Sequence, residues 1–547
     1  MDGCSRQNPA YRPAKGRPRL GGAFLLERRL GRGATLARPV SEGGISRRGL
    51  IGGAAAGGAA AALPGAAEAR KRGRGPRRRK ARVVVVGAGL AGLSAARKLV
   101  DSGVGSVLVL EARDRVGGRT FTQTVCGVPF DVGGQWIKTQ AGVYGFAQER
   151  ITSLSKSLGV ETFKSYYTGE NVFYRDGERT RYDPTLAQEL PPDQSFPEVA
   201  AAIVQADSLA TGASAGAGTP KTGPGISPDT PWDSARAAEF DGQTVETWKQ
   251  ANLVSKRAKD LLDLGVVATL ACEPRDVSLL WFLFYIASAD SLENLISTPQ
   301  GAQESRFVGG SQQVSTRMAK ALGKRVIRRS PVRRIVQGRR GVRVESDRAI
   351  VSAQRVIVAI PPALAGEIDY RPRLPGVRAQ LTQRFPMGSV VKCQAMYERP
   401  FWRDEGLTGW AISDKGPVRL TFDNTPPSGA PGVLLGFVEG QEARDLTGRP
   451  AAERRTAVLE SFARYFGEGA RSPVEYVEHN WLEERWSRGC YGGFSPPGVL
   501  TGFGPVLRPP IGRIHWAGTE TATRWAGYMD GAVQSGERAA AEVLESL

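Results

Sequence analysis

The segment from Val83 to Glu111 constrains the fold of this chain more than any other part of the sequence. A β-branched run, Arg82 to Val86, predicts a buried strand, and the glycine-rich turn Gly87-Ala88-Gly89-Leu90-Ala91-Gly92 follows it directly. A helix is predicted from about Leu90 to Val100 and a second strand from Val107 to Leu110. Together these elements form a βαβ unit with a G-x-G-x-x-G turn.

The glycines and one acid of this unit predict a bound dinucleotide. Gly87 permits the tight turn, Gly89 lets the backbone approach a pyrophosphate, and Gly92 lets helix and strand pack closely. The helix N-terminus offers free N–H groups and a positive dipole end to the phosphates. Glu111 closes the second strand, 24 residues after Gly87, where an acid binds the ribose hydroxyls of the adenosine.

Two motifs downstream of Glu111 favour FAD over NAD. The first, Arg113 to Thr120, has the form R-x-x-V-G-G-R-T and resembles the second glycine motif of flavoprotein oxidases. This resemblance implies that Arg119 and the backbone around Gly118 contact the flavin diphosphate. The second motif resembles the glycine pair near the isoalloxazine ring of the same enzymes and contains Gly134, Gln135 and Trp136.

The C-terminal part of the chain carries the other half of the expected cofactor site. The run Ala517-Gly518-Thr519-Glu520 is predicted to end a strand and start a turn, so its amides can face the diphosphate or the ribityl chain. The run Gly527-Tyr528-Met529-Asp530-Gly531 is predicted to begin a helix. The positive N-terminal end of that helix can stabilise the negative charge that builds on a reduced flavin.

Taken together, these motifs resemble the flavin-containing amine oxidases, and within them the monoamine oxidase branch. The likeness covers almost all of 81–547, apart from a Gly/Ser/Pro-rich stretch at 205–230 that predicts a surface loop. Other matching blocks are Arg306 to Ser311, Met387 to Cys393, Pro400 to Trp402, Asn480-Trp481 and Gly489 to Gly498.

The resemblance implies a mixed α/β fold with two interleaved domains. A Rossmann-like FAD-binding domain, of the two-dinucleotide-binding-domain flavoprotein type, is expected at 81–150, 305–365 and 476–547. A substrate-binding domain of mixed sheet plus helices is expected at 151–304 and 366–475. Periodicity in the sequence adds helices at 255–270 and 450–466, and strands at 342–345 and 355–360.

The resemblance also implies catalytic roles for three residues. Lys392 matches a lysine that holds a water near flavin N5 and assists oxygen reduction. Tyr491 and Tyr528 match two tyrosines that face each other before the flavin and form a slot for the amine. Trp481 matches a tryptophan beside the ring, and Val332 falls where the family contacts the adenine through backbone atoms.

Cys490 is expected to bind the flavin. In monoamine oxidases the cysteine at this place forms a thioether to the flavin 8α carbon, and the same Gly-Cys-Tyr context stands here. Many relatives hold FAD without a covalent bond, so a buried free thiol is the alternative.

The substrate pocket is expected to include Leu420, Phe284 and the two tyrosines, and to favour aromatic or aliphatic monoamines. Leu420 falls where the monoamine oxidases place a specificity residue, and Phe284 lies in the apolar run Leu279 to Tyr285. A diamine or polyamine oxidase would want a carboxylate at the far end of the cavity, and the sequence does not place Glu293 or any other acid there. An arginine for the carboxylate of an amino acid is not excluded.

The implied reaction is oxidative deamination of a primary amine. Hydride equivalents pass from the α-carbon to the flavin, the imine is hydrolysed to an aldehyde and ammonia, and O₂ is reduced to H₂O₂. Polyamine, diamine and L-amino-acid oxidases of the same fold are the alternatives. A flavin-dependent desaturase or isomerase, or a non-catalytic flavoprotein, is a more distant one.

Charge and metal-binding residues argue against other classes of function. The net charge is +20, but the first 80 residues hold 19 Lys and Arg against 4 Asp and Glu, so nucleic acid is not an expected partner. Five cysteines without C-x-x-C spacing and only two histidines predict no metal site.

Residues 1–69 are predicted to be a twin-arginine-type leader. Ser46-Arg47-Arg48-Gly49 precedes an apolar run that is too short to span a membrane, and Ala67-Glu68-Ala69 has the form of an A-x-A cleavage site. The export machinery is then a partner and the enzyme is periplasmic or extracellular; a leader that does not function would leave it cytoplasmic. Residues 70–80 are interpreted as a basic linker, no transmembrane segment is expected, and a homodimer is one expected state because dimers are common in the family.

Overall fold

The computed structural model describes residues 75–184, 193–213 and 222–547. The chain divides into two units, Met1–Gly73 and Arg74–Leu547, of which the described residues fall in the second. The predicted leader and residues 70–74 of the predicted linker lie outside the described residues. The second unit contains helices and both parallel and antiparallel strands, which confirms the predicted mixed α/β class.

The strands of the described residues are, in chain order, β1 (Arg77–Lys80), β2 (Val83–Val86), β3 (Val107–Leu110), β4 (Thr122–Val125), β5 (Val128–Asp131), β6 (Trp136–Ile137), β7 (Thr162–Lys164), β8 (Glu170–Arg175), β9 (Glu178–Tyr182), β10 (Ser305–Phe307), β11 (Val326–Ile327), β12 (Val332–Gly338), β13 (Gly341–Ser346), β14 (Ala349–Ala353), β15 (Arg355–Val358), β16 (Asp369–Arg371), β17 (Val390–Tyr397), β18 (Leu407–Ser413), β19 (Leu420–Asp423), β20 (Gly432–Glu439), β21 (Glu475–Asn480) and β22 (Ile514–Trp516).

The α-helices of the same residues are α1 (Leu90–Asp101), α2 (Glu149–Ser157), α3 (Phe196–Thr211), α4 (Ala237–Asp241), α5 (Val245–Asn252), α6 (Lys256–Leu270), α7 (Leu279–Ala289), α8 (Leu292–Ile296), α9 (Gln312–Leu322), α10 (Pro362–Ala365), α11 (Gly376–Gln383), α12 (Phe401–Asp404), α13 (Gly440–Thr447), α14 (Ala451–Phe466), α15 (Val499–Phe503) and α16 (Met529–Glu545). Short 3₁₀ turns occur at Pro231–Asp233, Gly323–Arg325, Glu468–Arg471, Gly504–Val506 and Thr519–Thr521.

A five-stranded parallel sheet with the order β11-β3-β2-β15-β22 holds the predicted βαβ unit. All four residues of β2 and of β3 are buried, as expected for a parallel sheet that is covered on both faces. Helices α1 and α16 pack over it, although α16 comes more than 400 residues after α1. The N-terminal motif and the C-terminal motif are thereby brought to the same edge of one sheet.

A seven-stranded mixed sheet with the order β21-β17-β20-β19-β18-β8-β9 forms the opposite wall of the molecule's central cavities. Its central strands β17 and β20 are buried along their whole length. β21 pairs with β17 in this sheet, whereas the predicted boundary at 475/476 assigns most of β21 to the FAD-binding domain. β10 pairs with β6 on one side and β7 on the other, which likewise joins segments that the prediction divides.

The basic segment before β2 is not only a linker. Arg77–Lys80 forms β1, an exposed edge strand that pairs in parallel with β14 in a second five-stranded sheet, of order β1-β14-β13-β12-β16. Charged side chains on an edge strand discourage pairing with other chains. The four cationic side chains therefore belong to a strand of the fold, whereas the sequence was interpreted as a linker here.

The remaining predicted elements are largely as expected. Helices α6 and α14 confirm the segments 255–270 and 450–466, and strands β13 and β15 confirm those at 342–345 and 355–360. The predicted loop at 205–230 begins too early, because α3 continues to Thr211, where Gly212 ends it with a positive φ of 75°. Among the described residues, no helix is both long and apolar enough to cross a membrane.

Candidate active site

One continuous cavity, here called the first cavity, connects the glycine turn after β2 with the seven-stranded sheet. Its wall includes Gly87, Gly89 and Glu111 from the nucleotide motif, and Lys392 and Tyr491 from later in the chain. Other predicted residues that line it are Arg113, Gly118, Arg119, Gly134, Gln135, Trp136, Leu420, Trp481, Cys490, Gly518, Thr519, Tyr528 and Met529. The fold thus brings nearly all the predicted residues, from both ends of the chain, to one enclosed space.

The glycine turn has the shape of a cradle. Gly87 has a φ of +98°, and a Cβ atom there would lie 2.8 Å from the carbonyl oxygen of Ala359. Gly92 does not line the cavity but supports the turn from below, because a Cβ at this position would lie 2.0 Å from the Gly87 carbonyl oxygen. At Gly89 the nearest atom to such a Cβ is 3.9 Å away, so the protein itself leaves this space free for a ligand.

Glu111 is buried and holds the turn by accepting two backbone hydrogen bonds. Ala88 N–H donates to Oε2 at 2.7 Å and Arg113 N–H donates to Oε1 at 2.8 Å. The Arg113 guanidinium in turn donates to Ser487 Oγ at 2.7 Å and lies 3.4 Å from the Glu484 carboxylate. Each Glu111 oxygen keeps a lone pair for a further donor, such as a ribose hydroxyl.

Arg119 links the two halves of the site. Its Nη1 donates to Glu520 Oε1 at 2.5 Å and to the Tyr491 carbonyl oxygen at 2.9 Å. Burial alone would raise the pKa of Glu520, but the charge and hydrogen bonds of Arg119 hold it below its usual value. Glu520 also accepts from Gly493 N–H at 3.1 Å and does not line the cavity. The Glu520 side chain therefore positions Arg119, and the contact of Glu520 with the cofactor stays a prediction.

Lys392 is a buried cation on β17 that faces the first cavity. Its Nζ donates to the Gly133 carbonyl oxygen at 2.8 Å and to Gln135 Oε1 at 2.5 Å, and lies 5.6 Å from the ring centre of Trp136. Burial lowers the pKa of Lys392 to about 7, opposed by the charge of Asp131. The amine therefore exchanges a proton near neutrality, at a fixed position in the wall.

Two tyrosines form the aromatic end of the cavity. The Tyr528 hydroxyl donates to the Leu295 carbonyl oxygen at 3.1 Å, and its ring centre lies 6.0 Å from that of Tyr285. The Tyr491 hydroxyl donates to Glu439 Oε1 at 2.5 Å, and its ring meets Phe437 edge to face at 6.0 Å. Both rings are thus held by a hydrogen bond at the hydroxyl and an aromatic neighbour at the side.

Cys490 is a buried free thiol in the wall of the cavity. Burial raises its pKa to about 12, against the opposing charges of Arg119 and Lys392. Trp481 lies in the same wall and is fixed by a 2.8 Å hydrogen bond from its indole nitrogen to the Val132 carbonyl oxygen. The Cys490 thiol is therefore protonated at neutral pH.

Phe284 and Val332 are not among the residues that line the first cavity, so their two contacts stay predictions. Phe284 points away and packs against Trp281 at 5.1 Å, whereas the next residue of α7, Tyr285, faces the cavity. Because almost every residue of α7 is buried, no hydrophobic periodicity distinguishes these two neighbours. Val332 is paired with Ser346 in the β12–β13 ladder instead.

Several lining residues were not predicted, among them Ile296, Phe422 and Phe437. Phe437 lies two positions after Leu435 and two before Glu439 on β20, so all three share one face of the strand. This spacing could have placed Phe437 beside the cavity from the sequence. Ile296 ends α8 and comes to the site only through tertiary packing, which leaves no local signal.

A second cavity of about 310 Å³ adjoins the first. The two cavities share four wall residues, Ala268, Ile296, Leu420 and Phe437. Glu293, Glu439 and Glu442 line the second cavity, together with one arginine, Arg419. No group of three or more His, Cys, Asp and Glu residues in the described part of the chain is placed to hold a metal ion.

The chain matches the family model described as "Flavin containing amine oxidoreductase" over residues 90–544. It is 40% identical over 470 residues to "Amine oxidase [flavin-containing] A" of Bos taurus, which covers 85% of each chain. Among solved structures it is similar to putrescine oxidase bound to putrescine, with a TM-score of 0.79, 35% identity and coverage of 86% of this chain and 100% of that one. Cyclohexylamine oxidase from Brevibacterium oxydans IH-35A matches with a TM-score of 0.78, 34% identity and coverage of 85% and 99%. A nucleotide cradle joined to an aromatic slot, in a chain with this similarity along most of its length, makes the protein a member of the flavin-containing amine oxidase family.

Proposed function

We propose that this flavin-dependent amine oxidase oxidises a primary monoamine held between Tyr491 and Tyr528, with O₂ as the electron acceptor. One observation carries the proposal. Lys392, the adjacent pair Cys490 and Tyr491, and Tyr528 come from three separate segments of the chain, and all four line the same cavity as the glycine turn.

The residues of the first cavity fit FAD. Gly89 leaves open space beside the N-terminus of α1, where phosphates are favoured by free N–H groups and the helix dipole. Glu111 offers its carboxylate near that end, and the aromatic residues at the other end suit a flat ring. When bound, FAD would supply the hydride acceptor, which no amino-acid side chain can supply.

The protein's own residues then have three tasks. Tyr491 and Tyr528 orient the amine, which shortens the search for a reactive geometry. The apolar side chains Leu420, Phe422 and Phe437 exclude water from the slot. Lys392, whose pKa lies near neutrality, holds or releases a proton at Nζ during oxygen reduction.

We further propose that Cys490 attaches FAD covalently. The Cys490 thiol is free, lines the cavity and is buried, so it is available for a bond to the cofactor. Acid precipitation of the holoenzyme should give a yellow pellet, and Cys490→Ala should give a colourless one. A yellow supernatant from the unchanged protein would point to non-covalent FAD.

The substrate class rests on the walls between the two cavities. Leu420, Ile296 and Phe437 are apolar, which favours an aryl or alkyl body next to the reacting amine. One observation keeps a second candidate, a diamine. Three carboxylates, from Glu293, Glu439 and Glu442, line the second cavity, where a distal ammonium group could reach.

Anaerobic mixing with a panel of amines tests both assignments. Loss of the oxidised flavin absorbance with benzylamine or phenethylamine, but not with putrescine or amino acids, supports a monoamine oxidase. Faster bleaching by putrescine would select the diamine, and no bleaching by any amine from a yellow, folded protein would overturn the proposed function.

We also propose that the enzyme is exported after it has folded around its cofactor. The support is the order of leader signals, Arg47-Arg48, an apolar run and Ala67-Glu68-Ala69. In a host with twin-arginine export, the unchanged chain should place amine oxidase activity outside the cytoplasm. A variant with Arg47→Lys and Arg48→Lys should retain the activity inside, and equal distributions of the two would contradict export by this route.

A further inference from the structure

Glu439 occupies the boundary between the two cavities. It is the last residue of β20, two positions after Phe437, which lines both cavities. Glu439 itself lines the second cavity, and only 7% of its surface is exposed. Its single described hydrogen-bond partner is the Tyr491 hydroxyl, whose ring lines the first cavity. One carboxyl group is thus linked to both spaces.

The second carboxyl oxygen of Glu439 remains available to a ligand. Glu439 precedes α13 as its N-cap residue, yet its side chain makes no capping hydrogen bond. Among the described residues, Oε1 accepts from Tyr491, and no hydrogen bond reaches Oε2. A buried carboxylate with a free oxygen is costly unless a donor reaches it, and an amine in the second cavity would be such a donor.

The charges around Glu439 come from four neighbours. Tyr491 donates a hydrogen bond and Arg419, before β19, contributes a positive charge, and both lower the pKa of Glu439. Glu442 on α13 and Glu273 after α6 contribute negative charge and raise it, as burial does more strongly. The result is a pKa of about 8, so the carboxyl group changes its protonation state close to physiological pH.

An amine substrate faces an electrostatic barrier between the cavities. Simple primary amines are cations at neutral pH, whereas oxidation at the α-carbon requires the neutral form. The first cavity disfavours a cation twice, because its walls are largely apolar and because Lys392 lies in them. The acidic second cavity instead attracts an ammonium ion.

We propose that Glu439 receives the substrate ammonium group in the second cavity and takes its proton, so that the amine enters the first cavity neutral. In this step an N–H bond of R–NH₃⁺ breaks and an O–H bond forms at Glu439 Oε2. The ammonium and the carboxylate become R–NH₂ and a carboxylic acid, so charge and atoms balance without a redox partner. The proton later returns to solvent through the second cavity. The inference rests on the proposed amine oxidation in the first cavity.

The pH dependence of kcat/KM for benzylamine tests this role. For the unchanged enzyme, kcat/KM should follow a bell-shaped curve that rises as Glu439 ionises and falls above the pKa of the amine. For Glu439→Gln, kcat/KM should rise up to the pKa of the amine and should not fall above it. At pH 7 this variant should lose at least about 10-fold in kcat/KM. Tyr491→Phe removes a hydrogen bond that lowers the pKa of Glu439, so the rising limb should move to higher pH.

Inhibitors separate a charge effect from a general change of the pocket. Benzyltrimethylammonium keeps its charge at every pH, and benzyl alcohol is a neutral analogue. Glu439→Gln should weaken inhibition by the cation about 10-fold and leave inhibition by the alcohol unchanged. Glu398→Gln, which removes an exposed carboxylate just after β17, is the matched control and should change neither constant.

Three results would overturn the inference. The first is a bell-shaped pH profile of kcat/KM that Glu439→Gln retains, and the second is an equal loss of affinity for both inhibitors. The third is a loss of kcat/KM for putrescine while kcat/KM for benzylamine is unchanged, which would make Glu439 a binding site for a distal ammonium group. If no amine reduces the unchanged enzyme, the proposed function fails together with the inference. If benzylamine reduces it and the two profiles coincide, only the inference fails.

Discussion

Arg119 and Glu520 lie 401 positions apart in the sequence and are joined by hydrogen bonds of 2.5 and 3.2 Å. The Glu520 side chain is almost fully buried, and the Arg119 side chain is 21% exposed at the cavity wall. Because the same guanidinium also donates to the Tyr491 carbonyl oxygen, this pair holds the N-terminal motif against the aromatic slot. In the proposed reaction, cofactor binding and substrate orientation therefore depend on one ionic contact.

Replacement of Glu520 by glutamine should destabilise the protein by about 3 kcal/mol, because it leaves the Arg119 charge in a buried site without its counter-ion. The folded-state pKa of Glu520 lies below its usual value, so the pair's contribution is present above about pH 4.5 and is lost as the pH falls through that lowered pKa. Chemical denaturation at pH 7 and pH 4 measures both effects.

Glu537→Gln is the control, because it breaks the exposed Arg150–Glu537 pair, and it should lower the free energy of unfolding by less than about 1 kcal/mol. Equal losses for the two variants would contradict a special role for Glu520.

Alanine at Gly89 and at Gly92 should have opposite effects. Gly89 has a φ of −76° and no close atom around its Cβ position, so Gly89→Ala should fold with an almost unchanged Tm but lose bound FAD. Gly92→Ala would place a Cβ 2.0 Å from the Gly87 carbonyl oxygen and should cost about 3 kcal/mol of stability. The ratio of flavin to protein absorbance and the Tm of each variant distinguish the cases. Full FAD content in Gly89→Ala would show that the phosphates lie elsewhere.

Lys392→Met should slow reoxidation of the reduced enzyme by O₂ by roughly 100-fold, because it removes a buried donor from the first cavity. Anaerobic reduction by the amine should change by less than about 3-fold, since Lys392 is not expected to contact the α-carbon. Stopped-flow measurement of the two half-reactions separates these rates. Lys415→Met, at an exposed position, should leave both rates unchanged; slowing of both half-reactions in Lys392→Met would instead indicate a distorted flavin site.

The stability of the protein should rise with pH because of Lys392. Its pKa is about 7 in the folded protein and near 10.5 when unfolded, so between these values the unfolded chain binds more protons and folding becomes more favourable as the pH rises. Below pH 7 both states are protonated and the contribution is constant. Lys392→Met should flatten the curve between pH 7 and pH 10, which denaturant titration can test; parallel curves would mean that Lys392 is charged in the fold.

Strand β1 should contribute measurably to stability. A chain that starts at Gly75 keeps the hydrogen bonds from Arg77 and Ala81 to β14 and its neighbouring turn, and one that starts at Arg82 loses them. We expect a loss of about 1–2 kcal/mol, or roughly 2–4 °C in Tm, for the shorter chain only. Equal Tm values would return residues 77–80 to the role of a linker.

The nucleotide half of the site could be predicted because its information is local. Between Val83 and Glu111, each glycine has a conformational or packing reason to be glycine, and strand, turn and helix follow one another without a gap. The C-terminal half could be placed by resemblance, since Tyr491 follows Gly489-Cys490 and Tyr528 follows Gly527, as in the motifs of the family. Both residues line the first cavity.

The substrate side could not be predicted to the same depth, because tertiary packing decides it. Phe284 and Tyr285 are both buried in an apolar helix, and only the packing of α7 determines which one faces the cavity. Glu293 could not be placed from sequence, and the structure puts it in the second cavity. Glu439 carries no motif at all; its position depends on the register of β20 beside β17.

The order of strands in the parallel sheet has a consequence for biosynthesis. β22 and α16 complete the sheet that β2 and α1 begin, although they follow β2 by more than 400 positions. A ribosome must therefore synthesise all the intervening segments before the pocket for the nucleotide can close. A chain truncated before Ile514 would leave β15 without its neighbour β22 and should not retain the coenzyme, so the flavin colour reports that both halves of the site have been made.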